Sequence, residues 1–392
     1  MRAPVTGAVL CAIAAVALLV AGFTPWFSTG KEIDSRMAFE RRRAIALFDE
    51  DRADAERDVR ANFGLVSGEV CVDLECKPAK YTGAPGLSDD AFAWLGRGAL
   101  GSAMASVVLL VAVALAARVQ RRTHLRGWAA SLAALAAGLG AAFATSWALE
   151  GTVGYVTRGM GLMSAIVGAA FAGLGVGWPS SPGTGTAAKR LLLAAAISLL
   201  TLLAWITLLE HAWWHSGKAL AELHVSPLGV EVCDASGCKL SSAFGTTSSQ
   251  RALAALTSLA SASLLVPAFG AAARIARGIR PGAWAWATSI ISTLALAAGL
   301  ASFLLYPSSD IMKVAWGLPV FALATLLTTA ASAASLVLIK QPDREVAPTL
   351  RSPEPAHAIA PGARPQLAPL ASPAQSPPVA SPEPSNAVSR YA

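Results

Sequence analysis

Charge is what this chain has least of: Asp, Glu, Lys and Arg make up 14% of its 392 residues, and histidine occurs five times. Soluble domains carry about 25% charged residues, so a charge-covered globule is excluded. Acid–base chemistry has little to work with. No phosphate loop, Ser-His-Asp set or pair of catalytic carboxylates stands out, so neither a catalytic residue nor a cofactor is expected. Cysteine is equally sparse, five in all, and none has the Cys-x-x-Cys spacing of a redox motif.

What fills the chain is apolar. Mean hydropathy is +0.53 and 54% of the residues are hydrophobic, the composition of a membrane protein. Apolar runs cover 5–27, 98–117, 127–149, 157–178, 191–209, 252–273, 283–306 and 313–339. Each is long enough to cross a hydrocarbon core of about 30 Å as a helix. None has a charged side chain at its centre, where insertion would cost about 2.5–3.5 kcal/mol.

The net charge of +7 does not point to nucleic acid, because the cations sit in short loops between apolar runs. With the long segment 28–97 set aside, loops 118–126, 188–190 and 274–280 and the segment after Val337 are rich in them, whereas 150–158 and 307–313 hold only Arg158 and Lys313. The basic set is expected on the cytoplasmic side, with both termini. Frequent Ala, and Arg over Lys, fit a bacterial inner membrane. The first run has the basic start and small residues of a signal peptide, but its internal counterpart at 191–209 argues that it is retained as a helix.

The chain reads as written twice. Trp26-Phe27-Ser28-Thr29-Gly30-Lys31 returns as Trp213-Trp214-His215-Ser216-Gly217-Lys218, 187 positions on (218 − 31). Glu69-Val70-Cys71 to Cys76-Lys77 returns as Glu231-Val232-Cys233 to Cys238-Lys239, 162 positions on (233 − 71). Arg118/Arg274, Arg121/Arg277, Trp128/Trp284 and Gly161-Leu162/Gly317-Leu318 share an offset of 156 (274 − 118). The fold expected is an all-α membrane protein of eight transmembrane helices, built as two parallel four-helix repeats. Each repeat carries a small disulfide-bonded β-hairpin outer segment, and a pseudo-two-fold along the membrane normal is expected to relate the two.

The repeats are 1–187, with outer segment 28–97, and 188–340, with outer segment 210–251; a Pro/Ala/Ser-rich cytoplasmic tail, 341–392, is expected to be disordered. Repeat one has an insertion, about 32–63, whose Ile33, Met37, Ala44, Phe48, Ala55 and Val59 recur at helical spacing.

Cys71 with Cys76, and Cys233 with Cys238, are each separated by four residues in β-prone surroundings. On an oxidising outer face they read as disulfides, with redox catalysis or a four-thiolate metal site as alternatives. His211 and His215, four apart, would share a helix face and could grip a metal; their counterparts Thr24 and Ser28 leave that pair outside the repeated pattern, and no metal is expected. Gly138, Gly173, Gly177 and Gly299 are expected to let helices approach closely.

Trp26, Gly64-Leu65, Cys71 and Cys76-Lys77, and again Trp213, Leu228-Gly229, Cys233 and Cys238-Lys239, stand in an order that resembles the claudin and peripheral-myelin-protein superfamily. Val66 stands where that family has a second Trp, and the cysteines are closer together. The resemblance implies an outer sheet clamped on a left-handed four-helix bundle and used for lateral or intercellular assembly. The function expected is a non-enzymatic scaffold embedded in the lipid bilayer, binding a protein partner or itself through its outer segments. The alternative is a small-molecule transporter or channel with a path between the repeats.

Overall fold

A computed structural model of the chain describes residues 3–29, 59–72, 75–79, 90–116, 123–150, 156–179, 187–209, 213–218, 221–227, 229–234, 237–241, 248–305 and 313–339. Among the described residues there are eight helices: α1 (Ala3–Phe23), α2 (Asp90–Leu115), α3 (Thr123–Glu150), α4 (Met160–Gly177), α5 (Ala187–Leu209), α6 (Ser248–Ala276), α7 (Ala283–Leu305) and α8 (Gly317–Leu338). All eight are long and apolar enough to cross a membrane. They form because each apolar run is free of internal breakers; Pro267 alone lies deep within a helix, and Pro319 falls in the first turn of α8, where its missing N–H costs nothing.

The ends are set by local chemistry. Trp178-Pro179 closes α4. Gly278, at φ 74°, closes α6: its N–H donates to the Ile275 carbonyl and that of Ile279 to the Arg274 carbonyl, both at 2.9 Å. This is the Schellman arrangement, and its left-handed residue is one that glycine adopts without penalty.

Two sets of four helices pack alike. In the first, α1 lies against α2 and α4, α2 against α3, and α3 against α4. In the second, α5 lies against α6 and α8, α6 against α7, and α7 against α8. The sets meet through α6, which packs on α3 and α4, while α2 stays within its own set against α1 and α3. A two-fold would require α2 to meet α7 and α8 in the same way, so the expected pseudo-two-fold is corrected to a head-to-tail contact.

Among the described residues ten strands stand at one end of the helices: β1 (Phe27–Thr29), β2 (Val59–Phe63), β3 (Gly68–Val72), β4 (Glu75–Ala79), β5 (Val156–Arg158), β6 (Trp214–Lys218), β7 (Ala221–Ser226), β8 (Gly229–Asp234), β9 (Gly237–Ser241) and β10 (Lys313–Val314). They make two five-stranded sheets, ordered β4-β3-β2-β1-β5 and β9-β8-β7-β6-β10. All the pairings are antiparallel. In each, the strand after the first helix of the set sits between the hairpin strands and a short strand that precedes the fourth helix. The expected disulfide-bonded hairpin is present as β3 and β4 and sits within a larger sheet: an isolated pair of strands is marginal in water, and the extra pairings supply what it lacks. Edge strand β5 lies beside edge strand β9.

One other expectation changes. Val59–Phe63 is strand β2 rather than the end of a charged helix, because its register with Gly68–Val72 takes over the local apolar spacing. The rest of that insertion, from residue 30 to 58, and the tail 341–392 lie outside the described residues.

Candidate functional site

Each sheet is tied to its helices by one tryptophan. Trp26 follows α1, Trp213 follows α5, and both are at most 2% exposed. The Trp26 amide donates to the Phe63 carbonyl at 2.7 Å, and its own carbonyl accepts from Gly159 at 2.7 Å. The Trp213 amide donates to the Val225 carbonyl at 2.7 Å, and its carbonyl accepts from Ala315 at 2.9 Å. A single residue thus fastens the second strand of its sheet and the lead-in to the fourth helix. The Trp26 indole donates to the Ala21 carbonyl at 2.8 Å. The Trp213 indole nitrogen has no hydrogen-bond partner among the described residues.

The two rings are seated by missing side chains. A Cβ on Gly140 or Gly161 would clash with the Trp26 ring. On Gly299 it would meet the Phe321 ring at 2.7 Å and Trp213 at 3.1 Å. Phe143 meets Trp26 edge-on at 6.1 Å between centroids, and Phe321 meets Trp213 at 5.0 Å, tilted by 41°.

One polar row crosses each sheet at the same register. In the first it runs Thr157, Ser28, Asn62, Glu69. The Ser28 hydroxyl donates to Asn62 Oδ1, and Asn62 Nδ2 donates to Glu69 Oε1, both at 2.9 Å. In the second the row is Lys313, His215, His224, Glu231. The alternating neighbours Phe27, Phe63, Trp214 and Val225 are buried, so Ser28, Asn62, Glu69, His215 and His224 occupy the other face. His224 lies 3.4 Å from Glu222 on its own strand.

His215 is therefore on a strand, between Lys313 and His224, and not on a helix. Helix α5 runs from Ala187 to Leu209 and strand β6 from Trp214 to Lys218, so the helix face expected at His215 is a strand. His211 lies outside the described residues. Cross-strand pairing, invisible to sequence spacing, brings in His224 instead.

Cys71 and Cys76 face one another across β3 and β4 and are joined in a disulfide. Among the described residues the one trio of ligand atoms close enough to hold a metal is Glu69 with these two sulfurs, which the disulfide already uses. Cys233 and Cys238 are paired in backbone register across β8 and β9; their side chains lie outside the described residues. Cys11 is free and buried in α1.

A groove of about 540 Å³ beside the first sheet is lined by residues that include Asn62, Glu69, Lys77, Phe23, Pro25 and Leu100. Its mixed polar and apolar lining suits an amphiphile or a partner's side chains. Phe23 is 74% exposed and Trp94 67%, with the Arg97 guanidinium 5.9 Å from the Trp94 centroid. These are the residues of an interfacial belt.

Of the four glycines expected at helix contacts, three lie where α6 meets α3 and α4. A Cβ on Gly138 would meet the Leu259 carbonyl at 3.0 Å, on Gly177 the Gly270 Cα at 2.7 Å, and on Gly173 the Phe269 Cβ at 3.1 Å. Gly299 instead lies beneath Trp213. Hydroxyls complete the seam: Thr145 donates to Ser258 Oγ at 2.6 Å, and Ser263 to the Ala134 carbonyl at 3.0 Å. No family model, curated protein or solved structure matches the chain, so it is assigned to no family.

Proposed function

We propose that this is a non-enzymatic, multi-pass membrane protein, a tandem duplication of a four-helix unit, that binds a protein partner or a second copy through its two sheets. The arginine-rich end and both termini face the cytoplasm of a bacterial cell, and the sheets face out. The observation that carries this reading is the pair of tryptophan clamps: Trp26 with Phe63 and Gly159, Trp213 with Val225 and Ala315. Each member recurs at the offset its neighbours have in the sequence, which supports duplication. Each clamp also holds a polar sheet face rigidly above an apolar bundle, an arrangement suited to presenting a surface. The claudin-like order of Trp, turn and cysteines is in keeping with it.

Contact is made by the sheet faces, since the edges are blunted. β4 carries Lys77 and Pro78, and β10 is two residues long. The seam between the bundles is closed where Gly138, Gly173 and Gly177 touch α6, which weighs against a solute path there. A photo-crosslinking side chain at Lys77, and another at Lys239, should capture a discrete neighbour in cells. A clean monomer at both positions would refute the proposal.

A further inference from the structure

We infer that the arginine end of the seam between the two bundles binds the phosphate of an anionic phospholipid, which joins α3 and α4 to α6. This rests on the membrane reading above. Three spans end at this place: the one in α3 begins at His124, that in α4 ends at Gly177, and that in α6 ends at Ala276. Arg126, in the first turn of α3, is close enough to Arg274 for their like charges to repel. Arg274 donates from Nε to the Arg280 carbonyl at 3.2 Å, fixed by the Schellman turn at Gly278. Arg277 lies over the Trp178 ring, 5.5 Å from its centroid, so a cation of α6 sits on the residue that closes α4.

Segments 117–126, 178–190 and 274–282 contain neither Asp nor Glu. Two donors at the seam, Arg277 Nε and Trp178 Nε1, are buried with no hydrogen-bond partner among the described residues. Buried donors nearly always find an acceptor, and here it must also offset converging positive charge. The N-terminus of α3 adds its partial positive charge to the same place. A phosphodiester supplies acceptor oxygens and a negative charge in one group, and the level at which the spans end is where lipid headgroups lie.

The test is lipid retention by the full chain in phosphatidylcholine nanodiscs doped with phosphatidylglycerol, read by native mass spectrometry after release. The wild type should retain phosphatidylglycerol preferentially. Arg126→Gln, Arg274→Gln and Arg277→Gln should each weaken retention about fivefold. Trp178→Phe, which keeps the aromatic face and removes the donor, should weaken it while leaving the protein folded. Lys189→Gln with Arg190→Gln, on α5, should leave it unchanged. No preference in the wild type, or an equal loss in the α5 pair, overturns the site. Displacement of the lipid by glycerol 3-phosphate at matched concentration overturns the lipid in favour of a soluble phosphate. Crosslinking from Lys77 should be untouched by the arginine variants, so failure here is separable from failure of the sheet-binding proposal.

Discussion

The indole of Trp26 meets Phe143 from α3, whereas that of Trp213 meets Phe321 from α8. At the offset of 156 that relates the two halves (299 − 143 and 321 − 165), Phe143 corresponds to Gly299 and Ala165 to Phe321. The large ring comes from the third helix of one set and from the fourth helix of the other, and each position in register with a ring is a small residue. Volume under the tryptophan is kept while its source changes, the kind of exchange that cores tolerate best. Phe143→Ala and Phe321→Ala should each cost about 3–5 kcal/mol in thermal unfolding of the detergent-solubilised protein. Gly299→Phe should also be damaging alone. Combined with Phe321→Ala it should cost clearly less than the sum of the two, and strict additivity would show that the rings are not exchanging places. The glycines of the seam make a second residue-level case. Gly173→Leu and Gly177→Leu should destabilise by about 1–3 kcal/mol or more, because backbone of α6 occupies the added volume. Gly101→Leu, with open space around it, should be near neutral in the same melting assay.

At the scale of elements, the helices were legible and the sheets only in part. Helix positions follow from run length and the absence of internal charge, both local properties. Strands β3 and β4 could be expected from β-prone residues around Cys71 and Cys76, but β1 and β5 are three residues each and have no period of their own. They exist because Trp26 brings them together. Removing the disulfide by Cys71→Ser with Cys76→Ser should release about 2 kcal/mol of loop-closure stabilisation. Hydrogen exchange should then rise in β3 and β4 while the bundle keeps its protection; loss of protection in α1 would show that the sheet is not a separate element. The helices differ in one respect that length does not reveal. Thr325, Thr328, Ser332 and Ser335 are fully buried on α8, where α4 has Ala169, Ala172 and Val176 at the same offset and Pro179 follows its end. Thr325 and Thr328 each donate to the carbonyl four residues back at 2.8 Å, so these hydroxyls are satisfied within their own helix. Thr328→Ala should therefore cost less than about 1 kcal/mol in thermal melts, and a larger loss would indicate a shared polar network.

For the molecule as a whole, the two bundles meet head-to-tail through α6, with β5 of one sheet beside β9 of the other. Such a contact leaves unlike surfaces at its two ends, unlike a two-fold, which closes on itself. The seam is also particular to this pair. Gly138, Gly173 and Gly177 correspond to Leu294, Thr329 and Ala333, and Leu294 is 58% exposed, so α7 and α8 do not repeat the close seat that α3 and α4 offer. Cysteines placed singly at Lys77 and at Arg280, at opposite ends of the helices, should differ in labelling of intact cells by an impermeant thiol reagent. Only the first should react before permeabilisation; the reverse result would invert the proposed orientation.

The apolar runs, the basic loops and the recurring landmarks were fixed by sequence alone, since hydropathy, charge placement and self-similarity need no knowledge of what touches what. Tertiary structure decided the register that sets His215 beside Lys313 and His224, the fifth strand of each sheet, and the choice of α6 as the joining helix. Each of these depends on contacts between residues far apart in the chain. Their energy comes from pairing and close packing, which local composition does not encode.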